Sequence, residues 1–566
     1  MIREKSILAV LLLAAIVGIV SPAHAAINVK VIIAGSSAMW QSLALAAYSG
    51  GKCVSGGTAP CHHYTGNKFS LTDTRPVTKG GSAAVDTGSL WIVWDSSSTT
   101  NIWAYIKVDS VVGTRCYFAQ PRCTVNISSF PAQANLISST LWGDKSSDAT
   151  PPAAVSAVFT AGVLVNTAAT DIRPEDGLFA QCRANSVLGG APDSLKGLGY
   201  GVNGSGVCPS FGASLAQLEG SDILSGAPGS TSTAHPLAFN ISGTDPFTGK
   251  TIPTPTTVSV GAAPIVFITE RTSALAHVTN ASDAQLKSAF SGTNCNASAL
   301  GAPPAAIQAY LREPLSGTMN TTEYTVFRYP NEDGTSQEKN VGSTNPLSGT
   351  LCAAGGGKRT RGIGTGEIVK LVHDSVTNFG TDGIGYVFFS YGNVSSIASS
   401  ANYGYLQLNG VDGIFKTYAG GDPGQPGMGT LPGAANLPAT CAGSFPCPES
   451  KIWAGGLSFP HLRDGTYRAW SILRLVSNGT ALTNAKLLAA RSQANVVNSV
   501  PDYVPAKQVS ATDPGLKLLR SHYGPGAVNS GTGEKGRDAG GCIEPSSSTI
   551  SQKVQEAPGT ACKTFF

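Results

Sequence analysis

The chain has 566 residues, a formal net charge of +4, 42% hydrophobic residues and 13% charged residues. Charged residues make up roughly 25% of an ordinary globular chain, and so weak a positive balance excludes an electrostatic case for nucleic acid or a membrane surface as partner. The apolar content excludes a disordered polymer, and the length predicts more than one domain.

The first elements lie beyond a leader. Residues 1–25 have Arg3 and Lys5, an apolar run from Ile7 to Val20 and a small-x-small site at Ala23-His24-Ala25. This pattern predicts a secretory signal peptide, since the run is shorter than the roughly 20 residues a membrane span needs. The mature chain is then expected to be periplasmic or extracellular, with no membrane insertion. "AINVKVIIA" alternates and is β-branched, which predicts a strand, and "GSSAMWQSLALAAYSGG" continues as a capped helix. "SLWIVWD" and "IWAYIKVDSVVG" read as two strands around a Ser/Thr-rich turn. The segment from Ala154 to Cys182 holds an apolar run, then a turn opening a short helix at Arg173–Phe179.

Ser225 to Thr257 is Pro/Gly/Ser/Thr-rich and reads as a long insertion, as does Asp422 to Glu449. Between them, "VSVGAAPIVFIT" predicts a buried strand and "NASDAQLKSAFSGT" a helix capped at Ser282 or Asp283. "PAAIQAYLR" reads as a strand or short element, and "GTGEIVKLVHDSVTNF" is amphipathic. "GTDGIGYVFFSYG" predicts a strand after a glycine turn, and "NYGYLQLNGVDGI" a hairpin around Asn409-Gly410. "DGTYRAWSILRLVS" reads as a strand or the start of a helix, and the tail from Gly524 has little pattern. Alternating strands and helices with large spliced loops predict an α/β fold, whose ligands sit outside the carboxyl ends of the strands.

Twelve cysteines in an exported chain predict oxidised pairs. Neighbours in sequence give the candidates Cys53–Cys61, Cys116–Cys123, Cys182–Cys208, Cys295–Cys352, Cys441–Cys447 and Cys542–Cys562. Cys61-His62-His63 raises a metal site, but no second ligand cluster with zinc spacing accompanies it. No cofactor motif is present: there is no His-Glu-x-x-His, no Gly-x-Ser-x-Gly and no Walker loop.

Three turns carry the chemistry. In "REPLSGT", Arg312 can offer two parallel hydrogen bonds to an oxyanion. Ser316, Gly317 and Thr318 can add hydroxyls and the free N–H groups of a helix start. Read alone, the stretch is equally a capped helix beside a surface arginine. "GSSA", with Ser36, Ser37 and Ala38, repeats the device, and "ATDIRPED" places Asp171 before another helix start. Asp171 is either a cap or an acceptor for a protonated oxyanion.

In this order the segments resemble the type-2 periplasmic substrate-binding proteins, in particular the phosphate-binding branch that serves ABC uptake systems. "VIIAGSSAMW", "ASDAQLKSAFSGT", "REPLSGT" followed by "EYTVF", and "TDGIGYVFFSYGNV" carry the resemblance. It implies two lobes with the ligand in the cleft: lobe one over residues 26–265, lobe two over 266–387, a return to lobe one over 388–480 and an extension over 481–566. It also implies that "PIVFITE" crosses into lobe two and that the segment after Val387 crosses back. Phosphate contacts are implied at Ser37, Ala38, Asp171, Arg312, Ser316, Gly317 and Thr318, with an ABC permease as partner. The family's Gly-Ser-Gly-rich loop has no clear match, and "GGSAAV" with Ser82 is the stand-in. A transport-independent extracellular binding protein is the alternative function. "AAVDTGSLWIVW" looks like a pepsin-type turn with Asp86, but that chemistry needs a second such aspartate, and no second Asp-Thr-Gly or Asp-Ser-Gly occurs.

Overall fold

The computed structural model describes residues 26–54, 56–75, 84–143, 150–174, 239–313, 315–327, 350–362, 364–390, 403–415, 459–463, 466–498 and 502–506, with isolated residues and pairs elsewhere. Strand β1 (Ala26–Gly35) leads through one 3-10 turn into helix α1 (Trp40–Tyr48). Strands β2 (Cys61–Asp73), β3 (Ala84–Asp95) and β4 (Thr99–Lys107) form an antiparallel run, followed by helix α2 (Ser110–Phe118). Short strands β5 (Thr124–Asn126), β6 (Val163–Leu164) and β7 (Thr167–Thr170) precede the long strand β8 (Thr256–Glu270). Then come α3 (Asp283–Phe290), β9 (Gln308–Arg312), α4 (Gly317–Thr322), β10 (Lys358–Gly362), α5 (Gly364–His373), β11 (Gly383–Phe388), β12 (Tyr403–Leu408), β13 (Trp470–Ser477) and α6 (Gly479–Asn498).

The strands make one large mixed sheet in the order β10-β9-β11-β8-β13-β7-β1-β4-β3-β2-β5-β6. The α/β class expected from the sequence is what the structure shows. Strand β8 joins its two halves. Residues Thr256–Pro264 pair with β13 in one half, and Ile265–Thr269 pair with β11 in the other. Pro264 sits at the changeover, and its carbonyl accepts from the amide of Phe389 at 2.8 Å. A proline cannot donate to a ladder, so it fits where the chain changes partners. β12 pairs with Phe267–Glu270 in the same half as β11. Helix α6 packs on α1, β1 and β8, so the chain closes against its own first helix.

The structure differs from the sequence reading at three elements. "IWAYIKVDSVVG" is not one strand: β4 ends at Lys107 and α2 begins at Ser110. The amphipathic stretch from Gly364 to Phe379 is two helices, breaking at Asp374, where Ser375–Phe379 starts again. Around Asn409-Gly410 both central residues have positive φ, 53° and 76°, as a tight hairpin turn requires. Its return arm is a single bridge from Leu408 to Val411, and β12 takes its ladder from β8. The strand and helix alternatives resolve to strands at Gln308–Arg312 and Trp470–Ser477. Ser282 caps α3 as expected, in a reciprocal capping box with Gln285.

Three of the expected disulfides are formed: Cys53–Cys61, Cys116–Cys123 and Cys295–Cys352. The other three pairings, Ser82 and the Arg173–Phe179 helix beyond its first residues lie outside the described residues, as does the tail from Gly524 apart from Lys553–Val554 and Lys563–Thr564, which pair antiparallel. Among the described residues no helix is long and apolar enough to cross a membrane. No group of three or more His, Cys, Asp or Glu side chains there could hold a metal ion. Cys61 is spent in its disulfide, and His63 is buried, stacked on Trp142 with ring centroids 4.0 Å apart.

Candidate functional site

Five parallel strand ends converge. In one half β1, β4 and β7 run parallel and end at Gly35, Lys107 and Thr170. In the other half β9 and β10 run parallel and end at Arg312 and Gly362. Each end is followed within a few residues by a helical turn or an acidic or hydroxyl side chain: Ser36, Asp109, Asp171, Ser316 and Thr365. A crevice outside the carboxyl ends of strands is where α/β sheets bind ligands.

Close packing of backbone makes the first turn possible. Gly35 has φ +140°, and a Cβ there would lie 1.9 Å from the Ala169 carbonyl oxygen on β7. The amide of Ser36 donates to that same oxygen at 2.9 Å. Ser36 then caps the turn, its Oγ accepting from the Ala38 amide at 3.2 Å and donating to Asp171 Oδ2 at 3.3 Å. Tyr105 on β4 donates its hydroxyl hydrogen to the Ser36 carbonyl.

Asp171 is 1% exposed. It accepts from Ser36 and from Ser110 Oγ, the first residue of α2. Burial pushes its carboxyl above the usual range, while the hydrogen bond from Ser110 and the charge of Arg312 pull it back. Across the crevice stands Gly317, where a Cβ would lie 1.7 Å from Asp171 Oδ1. Only a glycine lets the two surfaces come this close.

Arg312, the last residue of β9, is 2% exposed. Its Nη1 donates to Thr318 Oγ1 at 3.2 Å, and its Nη2 to Glu313 Oε1 at 2.7 Å and to Asp109 Oδ1 at 3.0 Å. Nε donates to Glu313 Oε2 at 3.3 Å. Ser316 caps α4 by accepting from the Met319 amide at 3.3 Å. Behind the site, the Arg312 amide donates to the Tyr386 hydroxyl at 3.2 Å, and Arg361 donates to the Arg312 carbonyl at 3.1 Å. Burial works against a charged guanidinium here, but Glu313 and Asp109 outweigh it and hold Arg312 firmly protonated. Burial also works against an ionised Glu313, and the Arg312 charge reverses that, holding it below the usual range. Asp109 is pushed well up, by burial first and by Glu313 second.

Several contacts between described residues span the two halves. They include Asp171 against Gly317, Asp109 to Arg312, the Val111 amide to the Leu315 carbonyl at 3.2 Å, Ser37 Oγ to Thr365 Oγ1 at 3.0 Å and the Thr365 amide to Ser37 Oγ at 3.4 Å. The expected residues therefore lie together: Ser36, Ala38 and Asp171 on one wall, and Arg312, Ser316, Gly317 and Thr318 on the other. Ser37 touches Thr365 on α5 rather than Asp171. Sequence reasoning missed Asp109, Ser110, Glu313 and Thr365. A signal existed for Ser110, an Asp-Ser pair just past an apolar strand, but Val111 and Val112 disguised the helix start as more strand. Glu313 stood next to Arg312 in the quoted stretch. Lys107, at the end of β4, lies over the Trp40 ring at 4.5 Å, and burial lowers its amine to about 8.

Asp86, the pepsin-like candidate, sits within β3 and accepts from buried Arg115. The same arginine lies 3.6 Å from Asp73. This is an ion-pair network of the half-sheet, in which Asp86 is held as a structural carboxylate.

No family model matches the chain, and no curated protein does. Some solved structures are similar at low levels. A phosphate ABC transporter substrate-binding protein from Clostridium perfringens with bound phosphate is 16% identical, with 44% of this chain and 70% of that one covered and a TM-score of 0.26. A phosphate-binding protein from Stenotrophomonas maltophilia is 12% identical, covering 69% and 76%, with a TM-score of 0.29. A high affinity periplasmic phosphate-binding protein bound with phosphate is 12% identical, covering 86% and 95%, with a TM-score of 0.33.

Proposed function

We propose that this chain is an exported solute-binding protein that captures a tetrahedral oxyanion, phosphate first, in the crevice between the two half-sheets, and delivers it to an ABC permease. One observation carries the reading: a buried arginine and a buried carboxyl acceptor face each other across strand ends, among hydroxyls and the first-turn amides of α4. The arginine supplies charge, and the hydroxyls and amides supply directed donors. Asp171 supplies the acceptor that separates anions. Hydrogen phosphate has a P–OH to donate to it, and burial already raises the proton affinity of that carboxyl. Sulfate has no proton to give and would leave two acceptors facing each other. A transport-independent extracellular binder would use the same crevice and differ only in its partner. The three disulfides favour an oxidising compartment for either.

Equilibrium dialysis of labelled phosphate against the wild type and Gly317→Ala tests the reading. The wild type should retain phosphate. The added Cβ, 1.7 Å from Asp171 Oδ1, forces the walls apart. Overpacking of this kind costs about 1–3 kcal/mol, so affinity should fall by about 10- to 100-fold. The thermal midpoint should barely move, because the clash lies between the halves and not inside one. Retention by neither protein, or equally by both, contradicts the reading.

A further inference from the structure

The hydrogen bonds of Arg312 divide unevenly between the two halves. A guanidinium has five N–H groups. Glu313 takes two of those of Arg312, Thr318 takes one and Asp109 takes one. Glu313 and Thr318 belong to the same half as Arg312. Asp109 comes from the other wall, at the residue before α2. With Asp109 in place a single N–H of Arg312 is left, on Nη1, and an oxyanion held by the guanidinium fork needs two.

We propose that Asp109 is a built-in competitor at the anion site: its carboxyl holds Arg312 across the crevice, and it must yield that N–H before a phosphate can be gripped by two. The inference rests on the anion-binding reading above and adds the residue that sets how tightly, and at what pH, the anion is taken. A carboxylate is the group in this wall whose charge and geometry imitate one edge of the ligand. Ser110, its neighbour, points its hydroxyl to Asp171 and leaves Arg312 to Asp109.

Protonation decides the contest. The groups facing Asp109 are Arg312 and Glu313 from the opposite wall and Asp171 from its own, and the first two are bonded to each other. Arg361 and Tyr386 reach only the backbone of Arg312. Lys107 on β4 turns its amine over Trp40. Burial and the Glu313 charge favour the neutral form of Asp109 in the closed crevice. Neutral Asp109 gives up the charge-assisted bond and ceases to compete. As pH rises through its raised pKa it ionises, and competition appears. Wild-type affinity should therefore fall with rising pH more steeply than the phosphate's own ionisation accounts for.

Calorimetric titration of inorganic phosphate into the wild type, Asp109→Asn and Asp109→Ser tests this. Asparagine and serine are both good helix caps, so the start of α2 is kept. At about pH 8 both variants should bind phosphate about tenfold more tightly than the wild type, the worth of one charge-assisted hydrogen bond. Repeated at about pH 5.5 the gap should be smaller, because acid adds to the burial and the Glu313 charge that favour neutral Asp109. Phosphate ionisation is common to all three proteins and cancels in the ratio. Amide exchange at Val111, whose N–H donates across the crevice to Leu315, should be faster in both ligand-free variants. Equal affinities at both pH values overturn the inference and leave the anion site standing. Absence of phosphate binding in all three overturns both.

Discussion

Replacing Arg312 by alanine is expected to remove phosphate capture almost entirely. The substitution deletes the buried guanidinium that faces Asp171 and leaves Glu313 and Asp109 buried without the partner that offsets them. Truncating one member of a buried, hydrogen-bonded charge pair costs about 2–5 kcal/mol, which is a loss of about 30-fold to several-thousand-fold in affinity. Arg312→Lys should recover only part of this. Lysine keeps the charge but lacks the planar fork that bonds Glu313, Thr318 and Asp109 at fixed angles. Titration of phosphate into both variants, with near-ultraviolet circular dichroism to show native packing, is the check. An alanine variant that binds as the wild type does would move the anion elsewhere.

The largest effect on stability is expected away from the crevice. Asp73, Arg75, Asp245, Arg115 and Asp86 form a network of fully buried charges. Arg75 bonds both oxygens of Asp73 and reaches Asp245 at 2.9 Å. Asp245 in turn accepts from the amides of Phe247, Thr248 and Gln120, so it ties the 239–256 segment to the half-sheet. Burial disfavours a charged Arg75, but Asp73 and Asp245 more than compensate and its pKa is raised. Arg75→Ala strands two carboxylates in the interior, and breaking a buried pair costs about 3–5 kcal/mol. The exposed pair Lys370–Asp374, one helical turn apart at the end of α5, offers the contrast. Lys370→Ala should cost no more than about 0.5 kcal/mol. Thermal unfolding of the two variants compares them, and similar losses would contradict the network's role.

Much of the crevice was legible because each wall residue follows a strand directly. Ser36 comes after "VIIAG", Asp171 after "TAAT" and Arg312 closes "QAYLR", and a short polar turn after an apolar run is a local signal. Strand β8 was legible for the same reason, as fifteen residues dominated by β-branched and small side chains. Asp109 and Ser110 were hidden because two valines after them imitate a strand. What no local pattern holds is the pairing across the crevice. Asp109 meets Arg312 203 positions along the chain, and Ser37 meets Thr365 across 328. Those contacts arise only when β8 brings the two halves of the sheet together. At Asp86 the sequence argued against a pepsin-like site, since no second such aspartate occurs, and predicted a turn entering a strand; Asp86 instead lies within β3 and accepts from Arg115, 29 residues later.

The proposed site is a crevice that grips a protonated tetrahedral oxyanion between Arg312 and Asp171. Calorimetric titration of the wild type with inorganic phosphate and, separately, with sulfate at neutral pH tests that most directly. Saturable one-site binding of phosphate, with sulfate at least about 100-fold weaker because Asp171 finds no proton to accept, is the predicted result. No heat with either anion, or equal affinity for both, would contradict it.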